Sequence, residues 1–449
     1  MRATPFYLAY LMPASALAGY QLGGIYTFLT IFLAFIIIPI FDRVIGPGPD
    51  VTNPTPEETE ELARKLSFRL VTLIYVPVQV ALVIWGAHIV THATLSTLEW
   101  MGLILSTGVT TGLGITVAHE LCHKRNLVEK TLGKILLMTV SYMHFYIEHL
   151  IGHHVNVCTP VDPATARLGE SFYAFYPRAV IGSFRSAWKI EMGRLKKAGH
   201  AKWSYHNQML WFIALPILFS GALGMAFGWK AIPYFFAQSL IAFSILEAVN
   251  YLEHYGLVRR EIAPGHYEKV TIMHAWNSAH CLTNYFVFKL QRHADHHVHP
   301  LRRYQTLHTF DDSPLLPAGY PRMVLLALIP PLWRRVMDPR VEAVCANWVN
   351  EKGNSIGGQS LSKHCSSPSL SPPAMDTYVA RRSETLDQRN GTGCGSGALE
   401  SGFFNQKCCN NTVDDSQYRR EQLGMGANRK RSGIGKEITH CTAVLAPGG

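Results

Sequence analysis

The chain has 449 residues, of which 48% are hydrophobic and only 16% are charged, and its formal net charge is +10. No run of Lys and Arg interleaved with aromatic side chains forms a nucleic-acid-binding motif, so nucleic acid is not an expected partner. None of the nine cysteines forms a CxxC pair, which argues against a zinc ribbon or an appended rubredoxin-like module. A membrane protein with basic cytoplasmic loops explains the charge.

Six apolar stretches approach the length of about 20 residues that a helix needs to cross a bilayer. The first could be mistaken for a signal peptide. A second apolar stretch follows it at once, across a tight turn at Gly23 and Gly24, so we expect an uncleaved span. In chain order the six predicted spans are 5–23, 25–41, 69–91, 98–118, 209–227 and 231–251.

The basic residues lie on one side of these spans. Lys and Arg are frequent in 42–68, in 119–208 and after residue 251, whereas the connections 92–97 and 228–230 contain only one Lys between them. The positive-inside rule therefore predicts that both termini and both long polar regions face the cytoplasm. In a bacterium this would be a multi-pass protein of the plasma or inner membrane.

The polar regions contain predicted helices of their own. Residues 129–148 are predicted to form a helix of mixed apolar and polar character. Residues 184–197 are predicted to form an amphipathic basic helix that could lie along the lipid headgroups. After residue 341 the composition changes, and 353–449 are rich in Ser, Gly, Asn and Thr without usable periodicity. We expect a membrane domain at 1–341 and a low-complexity, disordered tail at 342–449 without a catalytic role.

The 21 histidines are concentrated just beyond the predicted cytoplasmic ends of the fourth and sixth spans. The first cluster is His119-Glu-Leu-Cys-His123. Positions i and i+4 share a helix face, so His119 and His123 can bind one metal ion together. The same HExxH pattern also occurs in zinc proteases, where the glutamate is the general base.

The second cluster is Glu148-His-Leu-Ile-Gly-His-His154. His149 and His153 again have i, i+4 spacing. On a regular α-helix His154 would point about 140° away from His149, so it would suit a second ion better than the first. Gly152 allows close packing or a local distortion at this point.

The third cluster, Gln291-Arg-His-Ala-Asp-His-His297, places its three histidines on one helix face, and His254 lies at the end of the sixth span. Eight or nine imidazoles exceed the four ligands that zinc usually takes, so the count predicts two ions. Imidazole binds Zn, Cu, Fe and Ni, so spacing alone does not choose the metal. Acidic neighbours could accept the second ring N–H of the ligands, and the candidates are Glu120, Glu148, Glu253 and Asp295.

These features predict an all-α integral membrane protein with six transmembrane helices and a cytoplasmic, histidine-rich helical cap. Two other classes of function share part of this pattern. An intramembrane zinc protease using His119, Glu120 and His123 would leave the later clusters unexplained. A metal transporter would carry its histidines near the bilayer midplane rather than beyond the span ends.

The three clusters resemble the three histidine boxes of membrane desaturases and hydroxylases. The segment Asn250-Tyr-Leu-Glu-His-Tyr-Gly-Leu257 is similar to the signature of alkane 1-monooxygenases. The resemblance covers about residues 5–341 and includes Thr159–Pro163, Arg167–Tyr173 and Pro330–Trp333. Cys122 and Ala294 replace the Gly and Ser common in those boxes, and neither change removes a ligand.

The resemblance implies a six-helix fold with two non-haem irons. It also implies terminal hydroxylation of n-alkanes to 1-alkanols with O2, with electrons from reduced rubredoxin and its NAD(P)H-dependent reductase. A xylene-type methyl hydroxylase or a fatty-acyl desaturase is the nearest alternative. The nine iron ligands that the resemblance implies are His119, His123, His149, His153, His154, His254, His293, His296 and His297. A basic surface that could attract an acidic rubredoxin would consist of Lys124, Arg125, Arg292, Arg302 and Arg303.

Overall fold

The computed structural model describes residues 1–47 and 53–352, and what it describes is almost entirely helical. The last described helix, Pro330–Lys352, continues past the predicted domain boundary at residue 341. Most of the predicted tail, 353–449, lies outside the described residues, so the division into a membrane domain and a tail stays a prediction.

Five helical segments are long and apolar enough to cross a membrane, and they coincide with the second to sixth predicted spans. The first predicted span is also helical, as a 3₁₀ turn over Thr4–Tyr10 followed by an α-helix over Leu11–Leu22, but it is not among these five. Gly23 and Gly24 form the predicted tight turn with φ angles of +71° and +53°, which glycine adopts without strain. The five segments are Gly24–Ile45, Leu66–His92, Thr97–Cys122, Gln208–Phe227 and Ala231–His254.

The segment Gly24–Ile45 changes helix type along its length. A π-helical turn over Leu33–Ile37 ends two residues before Pro39. Proline has no N–H and its ring clashes with the carbonyl four residues earlier, so the widened turn accommodates it within the helix. The distorted region turns Ala34 and Ile38 toward the protein interior, where both side chains are buried.

Buried polar side chains join the central spans to each other. The Thr111 hydroxyl donates to the Gln238 side-chain oxygen at 2.7 Å, and the Gln238 amide donates to the Thr139 carbonyl at 2.8 Å. The Gln79 amide donates to the Thr139 hydroxyl at 2.8 Å. Satisfied hydrogen bonds of this kind hold helices together where apolar side chains gain little from leaving the lipid.

The remaining elements form a cap on the histidine-bearing end of the spans. The predicted helix 129–148 is interrupted: it runs over Leu127–Met138, breaks near Ser141, which has a φ of +51°, and resumes at Phe145. The predicted amphipathic helix 184–197 is the second half of Phe172–Lys197. The other elements are the helices Pro56–Arg64, Phe145–Ile147, His154–Asn156, Cys281–Phe286, His293–Val298 and Tyr320–Ala327, the π turn Glu148–His153, the 3₁₀ turns Ile272–His274 and Tyr304–Thr306, and the paired strands Glu261–Ala263 and His266–Tyr267.

Candidate metal centre

The fold brings all nine predicted histidines together at the junction of spans and cap, in two adjacent groups. Within each group the potential ligand atoms all lie within 4.8 Å of one another. The first group contains five histidines, His119, His123, His149, His154 and His296, and the second contains four, His153, His254, His293 and His297.

Neighbouring Nε2 atoms have the separation expected for ligands of a common ion. His149 Nε2 lies 3.0 Å from His123 Nε2 and 3.1 Å from His154 Nε2. In the second group, His293 Nε2 lies 3.1 Å from His254 Nε2 and 2.9 Å from His297 Nε2. Two nitrogens that each lie about 2.1 Å from one ion, at a right angle, are about 3.0 Å apart. The donor set therefore fits a two-metal centre.

A π-helical turn decides how the second cluster is divided between the two groups. Glu148–His153 is π-helical, so the relevant spacing is i, i+5 rather than i, i+4. His149 and His154 consequently share the first group, while His153 belongs to the second. The expectation that His154 would serve a different ion from His149 is wrong, because it assumed a regular α-helix. Gly152 permits the distortion, since a Cβ there would lie 2.4 Å from the Glu148 carboxylate.

The third cluster also contributes to both groups. His293 and His297 lie in the second group, whereas His296 joins the first, with its Nε2 3.1 Å from His154 Nε2. The three residues do share one face of the short helix His293–Val298, as the spacing predicts. That face lies between the two groups and contributes histidines to both.

Burial sets the protonation state of these rings. It lowers the pKa of His149, His293 and His296 well below the ordinary histidine value, and neighbouring histidines lower it further. The Nε2 atoms of His119 and His153 are buried without a hydrogen-bond partner. Neutral imidazoles with free lone pairs directed into a closed site are the form that binds a metal ion.

Two ligand candidates have their outer ring nitrogen fixed by the protein. His153 Nδ1 donates to Asp162 at 2.9 Å, and His254 Nδ1 donates to the His274 carbonyl at 3.0 Å. Burial opposes ionisation of Asp162, but hydrogen bonds from His153, Thr165 and the Ala164 N–H outweigh it and keep its pKa below the ordinary value. Asp162 was not predicted to have a role, although it lies in the Thr159–Pro163 stretch that carries part of the resemblance.

The four carboxylates predicted to orient the histidines have different surroundings. Glu120 forms an ion pair with Lys124 at 2.9 Å, and Asp295 forms one with Arg302 at 2.7 Å. Both oxygens of Glu148 are buried without a hydrogen-bond partner. Glu253 accepts a hydrogen bond from the Tyr320 hydroxyl at 2.8 Å, and its other oxygen lies 3.3 Å from His293 Nε2, the nitrogen that faces the second group.

Most of the predicted basic docking surface is committed to internal contacts. Lys124 and Arg292 are buried, with only 4% of each exposed, so they do not form part of an open surface. Arg302 pairs with Asp295, and Arg303 pairs with Glu129 at 3.1 Å. Arg125 is exposed. The hypothesis that all five residues form one docking surface is therefore wrong, because Lys124 and Arg292 are buried.

An apolar cavity of about 110 Å³ extends from among the spans to the histidines. His119, His149, His293 and Glu253 line one end of it. Along the helix Thr97–Cys122 the lining continues through Leu113 to Val109, about 15 Å from His119 at 1.5 Å per residue. Other lining residues come from three further helices and the cap, among them Met12, Ala34, Ile38, Ile245, Phe286 and Val324.

Helices long and apolar enough to span a membrane, with two groups of histidines at one end that could each hold a metal ion, are typical of membrane proteins of the histidine-box class. In agreement, residues 96–326 match the family model described as fatty acid desaturase. Alkane 1-monooxygenase 2 of Pseudomonas aeruginosa is 44% identical over 333 residues, which cover 73% of this chain and 87% of the relative. Alkane 1-monooxygenase of Ectopseudomonas oleovorans is 39% identical over 354 residues, 78% of this chain and 87% of the relative. The chain belongs to the alkane 1-monooxygenase family.

A further relative is less similar to this chain. The xylene/toluene monooxygenase hydroxylase component of Pseudomonas putida is 28% identical over 333 residues, 73% of this chain and 86% of that protein. The similarity to alkane 1-monooxygenases is thus higher than the similarity to this xylene/toluene enzyme over a comparable length.

Proposed function

We propose that this protein is a monooxygenase that hydroxylates the terminal methyl group of n-alkanes to give 1-alkanols. The observation that carries the proposal is the apolar cavity, which ends at histidines of both groups. An alkane has no polar group and dissolves in the lipid, so a narrow apolar cavity among the spans can hold its chain. A methyl group at the histidine end would lie next to the metal centre.

The metal ions in this proposal are two non-haem irons. His119, His123, His149, His154 and His296 would hold one, and His153, His254, His293 and His297 the other. Bound iron would supply the activation of O2 and the oxidation of the C–H bond. The protein positions the alkyl chain, holds the histidine rings in place and excludes water from the apolar cavity.

The reaction requires electrons that the chain does not supply. One alkane, one O2, two electrons and two protons give one alkanol and one water. The sequence contains no CxxC pair that could form a redox module of its own. We therefore propose reduced rubredoxin as the electron donor, itself reduced by an NAD(P)H-dependent rubredoxin reductase.

We also propose six spans, with the metal centre on the cytoplasmic side. The segment Thr4–Leu22 is about 32 Å long, from 2.0 Å per residue in its 3₁₀ turn and 1.5 Å in its α-helix, and so matches a hydrocarbon core of about 30 Å. Phe6, near its start, packs against Tyr304 of the cap at 4.8 Å. Just beyond its end, the Gly24 N–H donates to Glu99 at the opposite end of the helix Thr97–Cys122. The positive-inside rule supports the cytoplasmic orientation.

The division into a catalytic part and a tail remains a proposal of its own. Among the described residues the metal candidates and the cavity lining lie before residue 341, and the family model matches residues 96–326. We propose that residues 342–449 have no role in catalysis.

The decisive experiment is expression in whole cells with rubredoxin and its reductase, followed by gas chromatography of the products from a series of n-alkanes and from xylene. We expect 1-alkanols from the wild type and none from His153→Ala or His296→Ala, each of which removes a donor from one group. The matched control is His200→Ala, because His200 is an exposed histidine of the cap far along the chain from the clusters. Preferential oxidation of xylene, or desaturated fatty acyl products without alkanols, would contradict the proposal.

A further inference from the structure

We propose that Glu253 is a metal ligand, which donates one carboxylate oxygen to the ion held by His153, His254, His293 and His297. This inference rests on the proposed two-metal function and adds an anionic donor to the histidine set. It would give the second group five protein donors, as many as the first has.

The first argument is the position of the carboxylate. Glu253 Oε2 lies 3.3 Å from His293 Nε2, which itself lies 3.1 Å from His254 Nε2 and 2.9 Å from His297 Nε2. The glutamate oxygen therefore points to the nitrogen that faces the ion, not to the outer nitrogen of the ring. If His293 Nε2 carried a proton to donate to Glu253, that nitrogen could not bind an ion. An ion bound between Glu253 Oε2 and His293 Nε2 would accept an electron pair from both atoms, although Glu253 lies outside the set of four histidines whose ligand atoms are all within 4.8 Å of one another.

The second argument is how firmly Glu253 is held. Its side chain is buried, and its other oxygen, Oε1, accepts the Tyr320 hydroxyl at 2.8 Å. The Tyr320 N–H is in turn bound by the Gln291 side chain at 2.9 Å, and the Glu253 carbonyl accepts the Trp276 N–H at 2.8 Å. One oxygen is thus engaged by the protein and the other is directed into the metal group, which is the arrangement of a monodentate ligand.

The third argument is charge. Imidazole binds a metal ion as a neutral donor, so two divalent ions held by histidines alone would bring four positive charges into a buried site. Uncompensated buried charge is very unfavourable, and a directly bound carboxylate reduces it most effectively because the distance is shortest. Asp162 acts only through the His153 ring, and the Glu148 oxygens lie beside Gly152 in the π turn. Glu253 lines the cavity together with His119, His149 and His293, so it would bind the ion on the side that faces the substrate.

The test compares iron binding in the full-length wild type and in Glu253→Gln, both loaded with ⁵⁷Fe(II) in detergent without substrate or electron donor. Iron release is titrated with a chelator, and Mössbauer spectra are recorded. We expect Glu253→Gln to bind one iron with wild-type affinity and the other at least tenfold more weakly. Only the Mössbauer spectrum of the weakly bound iron should change. The matched control is Glu247→Gln, a buried glutamate of the same helix whose carboxylate is bound by Tyr142 and Asn250.

A second measurement needs no variant that might misfold. In wild-type protein labelled with ¹³C-glutamate, the infrared difference between iron-loaded and iron-free samples should contain a shifted glutamate carboxylate band. Wild-type affinity and spectra for both irons in Glu253→Gln would overturn the proposal, as would the absence of that band. These readouts are independent of product formation, so failure to hydroxylate alkanes would count against the proposed function and not against this ligand.

Discussion

At the scale of single residues, Asp162 is the side chain most directly responsible for orienting a ligand candidate. Its carboxylate accepts the His153 Nδ1–H, while Thr165 and the Ala164 N–H hold it in place. Partners of this kind fix the ring orientation of a ligand and raise its basicity, and their loss usually lowers metal affinity by about 10- to 100-fold.

We therefore predict that Asp162→Asn lowers the affinity for one of the two bound ions by about tenfold. Asp162→Ala should lower that affinity further, because alanine accepts no hydrogen bond. Chelator titration of the iron-loaded protein measures both effects. Asp311→Asn, a change at an exposed aspartate of the cap, should bind both ions as the wild type does. Equal loss of both ions in Asp162→Asn would indicate a general defect in folding and would contradict the prediction.

The residues of the site differ in how well the sequence could identify them. All nine histidines could be found, because local spacing and the family resemblance mark them. Asp162 could not be assigned, since it lies nine positions from His153 and no periodicity links the two. The choice of Glu120 and Asp295 as orienting residues rested on adjacency in the chain. In the fold both carboxylates form ion pairs, Glu120 with Lys124 and Asp295 with Arg302, and their orienting role stays a prediction.

At the scale of secondary structure, the second histidine cluster shows what regular geometry leaves out. Five spans could be predicted because long apolar runs are a direct consequence of the bilayer thickness. The distribution of His149, His153 and His154 between the two groups could not be predicted, because it depends on a π-helical turn. A single widened turn rotates the following residues relative to an α-helix, and packing in the assembled cap stabilises it.

An ion-pair cluster connects three elements of the cap and spans. Glu129, in the helix Leu127–Met138, pairs with Arg303 at 3.1 Å and with Arg69 of the helix Leu66–His92 at 3.1 Å. Burial opposes ionisation of Glu129, but the two arginines outweigh it and hold its pKa below the ordinary value of 4.5. A carboxylate with a lowered folded-state pKa stabilises the fold above its unfolded pKa, and this stabilisation is lost as the pH falls through the folded value.

We predict that Glu129→Gln lowers the thermal stability of the detergent-solubilised protein at pH 7. The difference from wild type should shrink steadily as the pH falls below about 4.5, because protonated glutamate and glutamine are then equivalent. Melting curves at a series of pH values test this, and high salt should reduce the difference less than for a surface pair. Glu60→Gln is the control, since Glu60 and its partner Arg64 are both highly exposed and such pairs contribute little. A difference that is constant with pH would exclude the ion pairs as its cause.

At the scale of the whole molecule, the cavity links the apolar spans to the metal centre and should set the length of alkane that the enzyme accepts. Val109 is the lining residue of the helix Thr97–Cys122 that lies farthest from His119, by about 15 Å. A larger side chain at this position would fill the far end of the cavity and leave the histidine end unchanged. Long alkanes would then have to fold or leave part of the chain outside the cavity, whereas short ones would still fit.

We predict that Val109→Phe lowers kcat/KM for hexadecane by about tenfold or more. The kcat/KM for octane should stay within a few-fold of the wild-type value. Forcing a chain into an overfilled apolar site costs roughly 1–3 kcal/mol, and about 1.4 kcal/mol corresponds to a factor of ten. Competition between the two alkanes in one assay, with both 1-alkanols quantified, gives the ratio directly. Met101→Phe places the same ring on the exposed side of the same helix and should not change the ratio. If both alkanes lost activity equally, Val109 would affect the stability of the spans rather than the space available to the substrate, and the cavity would not be the alkane site.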